Sequence, residues 1–121
     1  MLGAVYGFGF TFAPKKHQEV HPGLVIGIKE LDGSRVQVLA LPISHKDPLR
    51  GEPHLVIPLQ ERINIGLDPQ QQCVYYSRFG MFTMPGAARK LMKLDAYYVG
   101  NASSAFWKEA RDRFLEHRKD G

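Results

Sequence analysis

The stretch PGLVIGIKELDGSRVQVLAL, residues 22–41, decides the fold of this chain. Two apolar runs, residues 22–28 and 35–41, flank the dipeptide Asp32-Gly33. Asp-Gly between two such runs is typical of a tight β-hairpin turn. The stretch therefore predicts two antiparallel strands that are joined at Asp32-Gly33.

Side-chain alternation within the two runs predicts which residues face the core. Leu24, Ile26 and Ile28 recur at every second position of the first run, and Val36 and Val38 do so in the second. Successive side chains of a strand point to opposite faces of the sheet. We therefore expect these five residues to form a buried face of the hairpin.

Residues 1–13, upstream of the hairpin, also have the pattern of a strand. Aromatic side chains occupy one predicted face, and small residues, including Gly7 and Gly9, occupy the other, where another backbone or a large side chain can approach closely. The segment lacks a basic n-region and is too short to cross a bilayer, so we expect neither an export signal nor a membrane anchor. The residues of the aromatic face are Tyr6, Phe8, Phe10 and Phe12.

The rest of the chain predicts short strands and a long final helix. Residues 55–57, 73–76 and 80–84 have strand composition, and a helical turn over residues 59–65 ends at Gly66. Residues 104–119 form the clearest helix, with Ser103 or Ser104 as its N-cap and one apolar stripe. The predicted fold is mainly β with a C-terminal helix, in the α+β class: a small antiparallel barrel, although short strands at this spacing also suit a sandwich. The apolar stripe of the helix consists of Phe106, Ala110 and Phe114.

Composition limits the classes of protein to which the chain can belong. With 121 residues, of which 44% are hydrophobic and 23% charged, the chain fits one globular domain and not a disordered protein. A single cysteine, Cys73, excludes an intramolecular disulfide framework and a multi-cysteine zinc site, and it suits a reducing cytosol. The 16 basic and 12 acidic residues give a net charge of +4, which favours acidic or polyanionic partners.

Two histidines at positions 17 and 21 have a spacing that metal sites use on helices. Pro22 follows directly and disfavours a helical conformation at His21. The zinc-protease pattern also requires a glutamate immediately after the first histidine, whereas Glu19 comes two places later. We therefore expect solvated loop histidines and no metal site.

Two further groups of residues each allow two interpretations. Ser44-His45 ends the second strand of the hairpin, where the pair could act on an RNA phosphate or where the serine could simply cap a backbone group. A second group interleaves cationic and aromatic side chains, as single-stranded RNA surfaces do, but alternating aromatics are also typical of an ordinary barrel core. This group contains Tyr75, Tyr76, Arg78, Phe79 and Phe82.

In order along the chain, several short segments resemble those of the PemK/MazF family of toxin–antitoxin ribonucleases. The resemblance begins with GAVY at residues 3–6, and the family's second-strand pattern of Arg-Pro-x-Leu-Val resembles VHPGLVI at residues 20–26. Its third strand, which ends in Pro-Ile-Thr/Ser, resembles VLALPISH at residues 38–45. Further similar segments are IP at 57–58, GLD at 66–68, YSRF at 76–79, MPG at 84–86 and ARDRFL at 110–115.

The resemblance implies an SH3-like barrel, a homodimer, an acidic antitoxin partner and cleavage of single-stranded RNA by its own 2′-hydroxyl, without metal or cofactor. In the family, an arginine before the proline of strand two and a threonine or serine at the end of strand three carry the chemistry. These positions correspond to His21 and Ser44, the candidate catalytic residues. Candidate RNA-binding residues are Lys15, Lys16, His17, His45 and Arg78.

The hairpin itself predicts where the two candidate catalytic residues lie. His21 precedes the first strand and Ser44 follows the second, while Asp32-Gly33 joins their opposite ends. Antiparallel pairing should therefore bring His21 and Ser44 together at one concave surface. Because a histidine replaces the family's arginine, two hypotheses stay open: an active cytoplasmic ribonuclease toxin, and an inactive module that binds protein or nucleic acid.

Overall fold

The computed structural model describes residues 1–12 and 17–120, and these residues form seven strands and two helices. The predicted fold class, mainly β with a C-terminal helix, is confirmed. None of the described helices combines the length and the apolar character needed to cross a membrane. In chain order the elements are β1 (Ala4–Phe10), β2 (Glu19–Asp32), β3 (Arg35–Ser44), β4 (His54–Val56), α1 (Leu59–Ile65), β5 (Cys73–Tyr75), β6 (Gly80–Met84), β7 (Tyr98–Asn101) and α2 (Ser104–Asp120).

The predicted hairpin is the centre of the sheet. Strands β2 and β3 pair antiparallel, and Asp32 pairs with Arg35, so that Gly33 and Ser34 form a two-residue turn. Both strands run further than predicted: β2 begins at Glu19 and β3 ends at Ser44. β2 also continues to Asp32 at the turn. We call the end of the hairpin opposite the turn, where Glu19 and Ser44 lie, the open end.

A bulge in β2 overturns one predicted core position. Val25 pairs with Ala40 and Gly27 pairs with Leu39, so Ile26 is an extra residue on β2. A bulge of this kind resets the alternation of side chains along its strand. Ile28, predicted to be buried, is therefore 41% exposed.

The strands form one antiparallel sheet in the order β4-β5-β3-β2-β1-β7, and β6 also pairs with β3. Beside β2, strand β3 has two successive neighbours: β6 along residues 36–40, and β5 at Ile43 and Ser44. Within the described part of the chain, no pairing joins β4 to β7, so the sheet is barrel-like but not closed. This change of neighbour along β3 leaves Ser44 beside β5 at the open end.

Adjacent residues of the sheet pack into two separate hydrophobic cores. Leu24 belongs to an aliphatic core under α2, whereas Val25 belongs to an aromatic core on the other face. Each fully buried side chain of this size stabilises the fold by roughly 1.5–3 kcal/mol. The stripe of α2 is buried in the aliphatic core as predicted, and Ser103 Oγ accepts a hydrogen bond from the Phe106 amide at 3.2 Å. The members of that stripe are Phe106, Ala110 and Phe114.

Two glycines have conformational or steric reasons to be glycine. Gly66 ends α1 in the left-handed region, with φ of 96°, which side chains with a Cβ rarely adopt. At Gly7 a Cβ would overlap the carbonyl oxygen of Arg89. The Arg89 amide donates to the Gly7 carbonyl at 2.8 Å, and the Gly7 amide donates to the Tyr97 carbonyl at 2.9 Å. The predicted close approach on the glycine face of β1 is thus confirmed.

Candidate functional site

A cleft of about 480 Å³ opens at the open end of the hairpin, and both candidate catalytic residues line it. Gly23 pairs with Pro42, and His21 and Ser44 each lie two residues beyond that pair. The antiparallel register therefore places the two side chains at the same end, on a concave surface of the size that small ligands occupy.

His21 is paired with a carboxylate that the sequence analysis did not single out. Its Nε2 lies 3.2 Å from Glu19 Oε2, and each side chain is about a quarter exposed or less (21% and 25%). Glu19 and His21 are two residues apart on β2, so their side chains share one face of the strand. With its proton on Nε2, the imidazole donates to Glu19, and Nδ1 remains as the nitrogen that can take up a proton.

The predicted solvated loop histidine at position 17 is 73% exposed and lies 3.8 Å from the other Glu19 oxygen. His21, in contrast, belongs to β2 and is largely buried at the cleft. The expectation of two loop histidines is therefore wrong for His21, because β2 begins earlier than the apolar pattern indicates. Within residues 1–12 and 17–120, no three metal-ligating side chains cluster as a metal site would require.

Ser44 makes the local contact that its alternative interpretation predicts. Its Oγ accepts a hydrogen bond from the Lys46 amide at 3.1 Å. An amide that donates to a hydroxyl oxygen leaves the hydroxyl proton available for donation. The cap therefore orients Ser44 without using up its capacity as a hydrogen-bond donor.

Arg78 lies in the same cleft, held from three sides. Its guanidinium contacts Glu52 Oε2 at 2.5 Å, and Glu52 itself is only 11% exposed. The guanidinium carbon also lies 5.2 Å from the ring centre of Phe12 and 5.1 Å from that of Tyr75. Cation–π contacts on two rings and an ion pair fix the position of this charge.

The buried phenol and thiol beside the cleft are held in their neutral forms. The Tyr75 hydroxyl donates to the Lys46 carbonyl. Burial is the main cause that raises the pKa of Tyr75 to about 12; the Glu52 carboxylate and, at alkaline pH where it ionises, the Cys73 thiol add to it. Burial likewise raises the pKa of the Cys73 thiol, and Asp47 adds to the effect. Because a thiolate is the reactive form of cysteine, Cys73 is a structural residue.

A second cavity, of about 420 Å³, lies on the other side of His21 and Ser44 and shares both residues with the first. Its lining is mainly apolar, with Lys90 and Lys93 among the polar residues. His45 also faces this cavity, and its Nε2 lies 3.0 Å from Asp68 Oδ2. His21 and Ser44 thus form the boundary between two cavities.

The structure brings together some of the predicted site residues and separates others. His21, Ser44 and Arg78 line the first cleft, whereas His45 lines only the second cavity. The predicted phosphate contacts of Lys15 and Lys16 lie outside the described residues. Of the cationic–aromatic group, Arg78, Phe79 and the largely buried Tyr75 line the cleft. Tyr76 packs against the protein interior, and Phe82 stacks on Phe8.

Sequence reasoning missed several polar residues of the cleft, among them Glu19, Lys46 and Glu52. The spacing of two residues between Glu19 and His21 was a usable signal, once β2 is known to start at Glu19. For Glu52 there was no such signal, because it reaches Arg78 across 26 positions of the chain.

Comparison of the chain with known proteins found no matching family model and no matching curated sequence. The functional assignment therefore depends on the chemistry of the site.

Proposed function

We propose that this chain is the toxin of a toxin–antitoxin pair of the PemK/MazF type, an endoribonuclease that cleaves single-stranded RNA without a metal ion. One observation carries the proposal: the His21–Glu19 pair lies in the same cleft as Ser44, at the open end of the hairpin. A base oriented by a carboxylate is what attack by a weak hydroxyl nucleophile requires.

In the proposed reaction, His21 Nδ1 takes the proton of an RNA 2′-hydroxyl while Glu19 holds Nε2–H. The 2′-oxygen attacks the adjacent phosphorus and the bond to the 5′-oxygen breaks, which leaves a 2′,3′-cyclic phosphate. The departing 5′-oxygen takes a proton from water and becomes a hydroxyl. Protonated His21 releases its proton to the solvent and returns to its neutral form, so the protein is unchanged after each turnover.

Two other residues would stabilise the charge that grows on the phosphate. The Ser44 hydroxyl donates a hydrogen bond, and Arg78 supplies a fixed positive charge in place of the family's arginine. Donors that are already oriented stabilise a developing anion without reorganisation during the reaction. The rings of Phe12 and Tyr75 hold the Arg78 guanidinium ready for this role.

The proposal includes a homodimer and an acidic antitoxin, and it implies action in the cytoplasm, where RNA is met. Ile28, Leu31 and Met81 are apolar side chains that are each more than 40% exposed, and they support an interface between two copies. The net charge of +4 supports an acidic partner. Sedimentation at micromolar concentration should give a dimer, and a purely monomeric protein would contradict that part of the proposal.

The test of catalysis is a cleavage assay on single-stranded RNA in EDTA, run across pH with the wild type and with His21→Ala and Ser44→Ala. We expect each substitution to lower the cleavage rate, with roughly 100-fold or more lost for His21→Ala. His54→Ala is the matched control, since His54 lies on β4 and hydrogen bonds to the Glu52 carbonyl instead of lining either cavity. Cleavage that survives both substitutions would move the chemistry to other residues.

A second candidate function, a binding module without catalysis, is favoured by the ion pair between Arg78 and Glu52. The carboxylate neutralises the cation that the chemistry needs, and Asp47 adds a further negative charge to the cleft. RNA binding by the wild type without any cleavage would select this function.

A further inference from the structure

A third cavity, of about 250 Å³, lies next to the first cleft and is built largely on the C-terminal half of α2. Arg118 lies above two rings there, 5.1 Å from the ring centre of Phe79 and 5.6 Å from that of Phe114. Phe79 is 41% exposed, although it packs edge-on against Phe114. A stacked, exposed ring beside a guanidinium is a surface on which a nucleic acid base can stack.

The three cavities form a series, because each neighbouring pair shares lining residues. Ser77 and Phe79 line both the third cavity and the first cleft. His21 and Ser44 line both the first cleft and the second cavity. His21 and Ser44 therefore lie within a longer concave surface. The third cavity lies at one end of this surface, the first cleft in the middle and the second cavity at the other end.

Positive side chains lie at both ends of this series of cavities. Lys90 and Lys93 lie at one end and Arg118 at the other, and Lys90 also pairs with Asp95 at 2.6 Å. Most of the carboxylates lie in the middle, where Glu52 is paired with Arg78 and Glu19 with His21. Asp68, in the second cavity, is paired with His45. Phosphates on either side of the central nucleotide would thus meet positive charge.

We infer that the three cavities form one continuous track for a single RNA strand, in which Phe79 and Arg118 hold a base at one end and Lys93 binds phosphate at the other. This inference rests on the proposed function, since the scissile phosphate lies between the two ends, at His21 and Ser44. Arg118 and Lys93 are binding residues for nucleotides distant from the cleavage point. Both are exposed, so their substitution leaves the packed core intact.

The test measures binding of fluorescent 2′-O-methyl RNA oligomers of two, four, six and eight nucleotides, which lack the hydroxyl needed for cleavage. Wild-type affinity should rise with length. Arg118→Gln and Lys93→Gln should each weaken binding of the octamer at least about fivefold and lower the dependence of binding on salt. The matched controls are Arg111→Gln and Lys108→Gln, whose cations lie over Trp107 on α2 and line none of the three cavities. Each control should change binding less than about twofold.

Three results would overturn the inference. One is equal weakening by Arg118→Gln and Arg111→Gln, which would show only an effect of net charge. Another is an affinity that stops rising at the dinucleotide. The third is displacement of the octamer by a glutamate peptide of equal charge at equal concentration, which would assign the surface to an acidic peptide.

The same oligomers made with ribose separate this inference from the proposed function. Length-dependent binding of the 2′-O-methyl series without cleavage of the ribose series would support the track and contradict the nuclease. Cleavage without length-dependent binding would contradict the track alone.

Discussion

The two ends of the β2–β3 hairpin are built in different ways. At the turn end, Asp32 and Arg35 pair with each other at 2.6 Å, and both side chains are more than half exposed. At the open end, His21 and Ser44 lie at a cleft, and the neighbours that complete the site come from distant segments, such as Arg78 and Glu52.

The difference shows that one end of the hairpin depends on local interactions and the other end on interactions with distant parts of the chain. The turn end satisfies its charges within four residues, so the adjacent sequence is sufficient to build it. The open end depends on rings and charges that the rest of the chain brings to it, and function is expected there. Substitutions at the two ends should therefore have very different effects.

The largest effect is expected where aromatic packing supports the open end. Phe10 is 2% exposed and packs with Phe12 and Phe82, and its ring centre lies 6.4 Å from that of His21. Phe10→Ala should lower the free energy of unfolding by about 3–5 kcal/mol, because it leaves a cavity in the aromatic core. Urea unfolding measures this, with Met92→Ala, whose side chain is 81% exposed, as the control. Similar losses for the two variants would contradict the importance of this packing.

Removing the charge of Glu19 tests whether the open end of the hairpin takes part in the proposed RNA cleavage. Glu19→Gln should lower kcat for RNA cleavage at least roughly tenfold, because the imidazolium of His21 loses its stabilising carboxylate. The pH dependence of kcat should change as well, which a purely structural defect would not produce. Glu30→Gln, on an exposed part of the same strand, is the control. An unchanged rate and pH profile would exclude Glu19 as a positioning residue.

A smaller effect is expected at Tyr75, beneath the cleft. An unfolded tyrosine titrates near ~10, so the extra stability of its buried neutral form is present below that pH. This stability is lost as the pH rises toward the folded pKa of about 12. Tyr75→Phe should lose about 1 kcal/mol at neutral pH with its hydrogen bond to Lys46. Its alkaline loss of stability should be smaller than that of the wild type, with the part due to the buried Cys73 thiol remaining. Unfolding between pH 8 and 11 checks this against Tyr97→Phe, an exposed phenol.

The smallest effect is expected at the turn end. The Arg35 guanidinium lowers the pKa of Asp32, so the stabilisation exists above the usual carboxyl pKa and is lost as the pH falls. Both side chains are more than half exposed, and exposed ion pairs contribute little to stability. Asp32→Asn should leave the thermal midpoint at neutral pH unchanged within error. A shift as large as that of Phe10→Ala would remove the contrast between the two ends.

Elements defined by local sequence were predictable, including the hairpin, the strand at residues 80–84 and the stop of α1 at Gly66. Ile28 was predicted wrongly because the bulge at Ile26 depends on pairing with β3, which no single-strand pattern records. The meeting of His21 and Ser44 at one cleft followed from antiparallel geometry. Glu52 reaches the cleft through tertiary packing, so no spacing in the sequence pointed to it.

The contact at Gly7 affects how the surface that lines the second cavity can change during evolution. Main-chain atoms of Arg89 make this contact, and its own side chain is exposed. The segment that follows supplies Lys90 and Lys93 of the second cavity. Side chains on this segment can therefore be exchanged while its attachment to β1 is kept. Ligand preference at this end of the surface is free to drift, whereas position 7 must remain glycine.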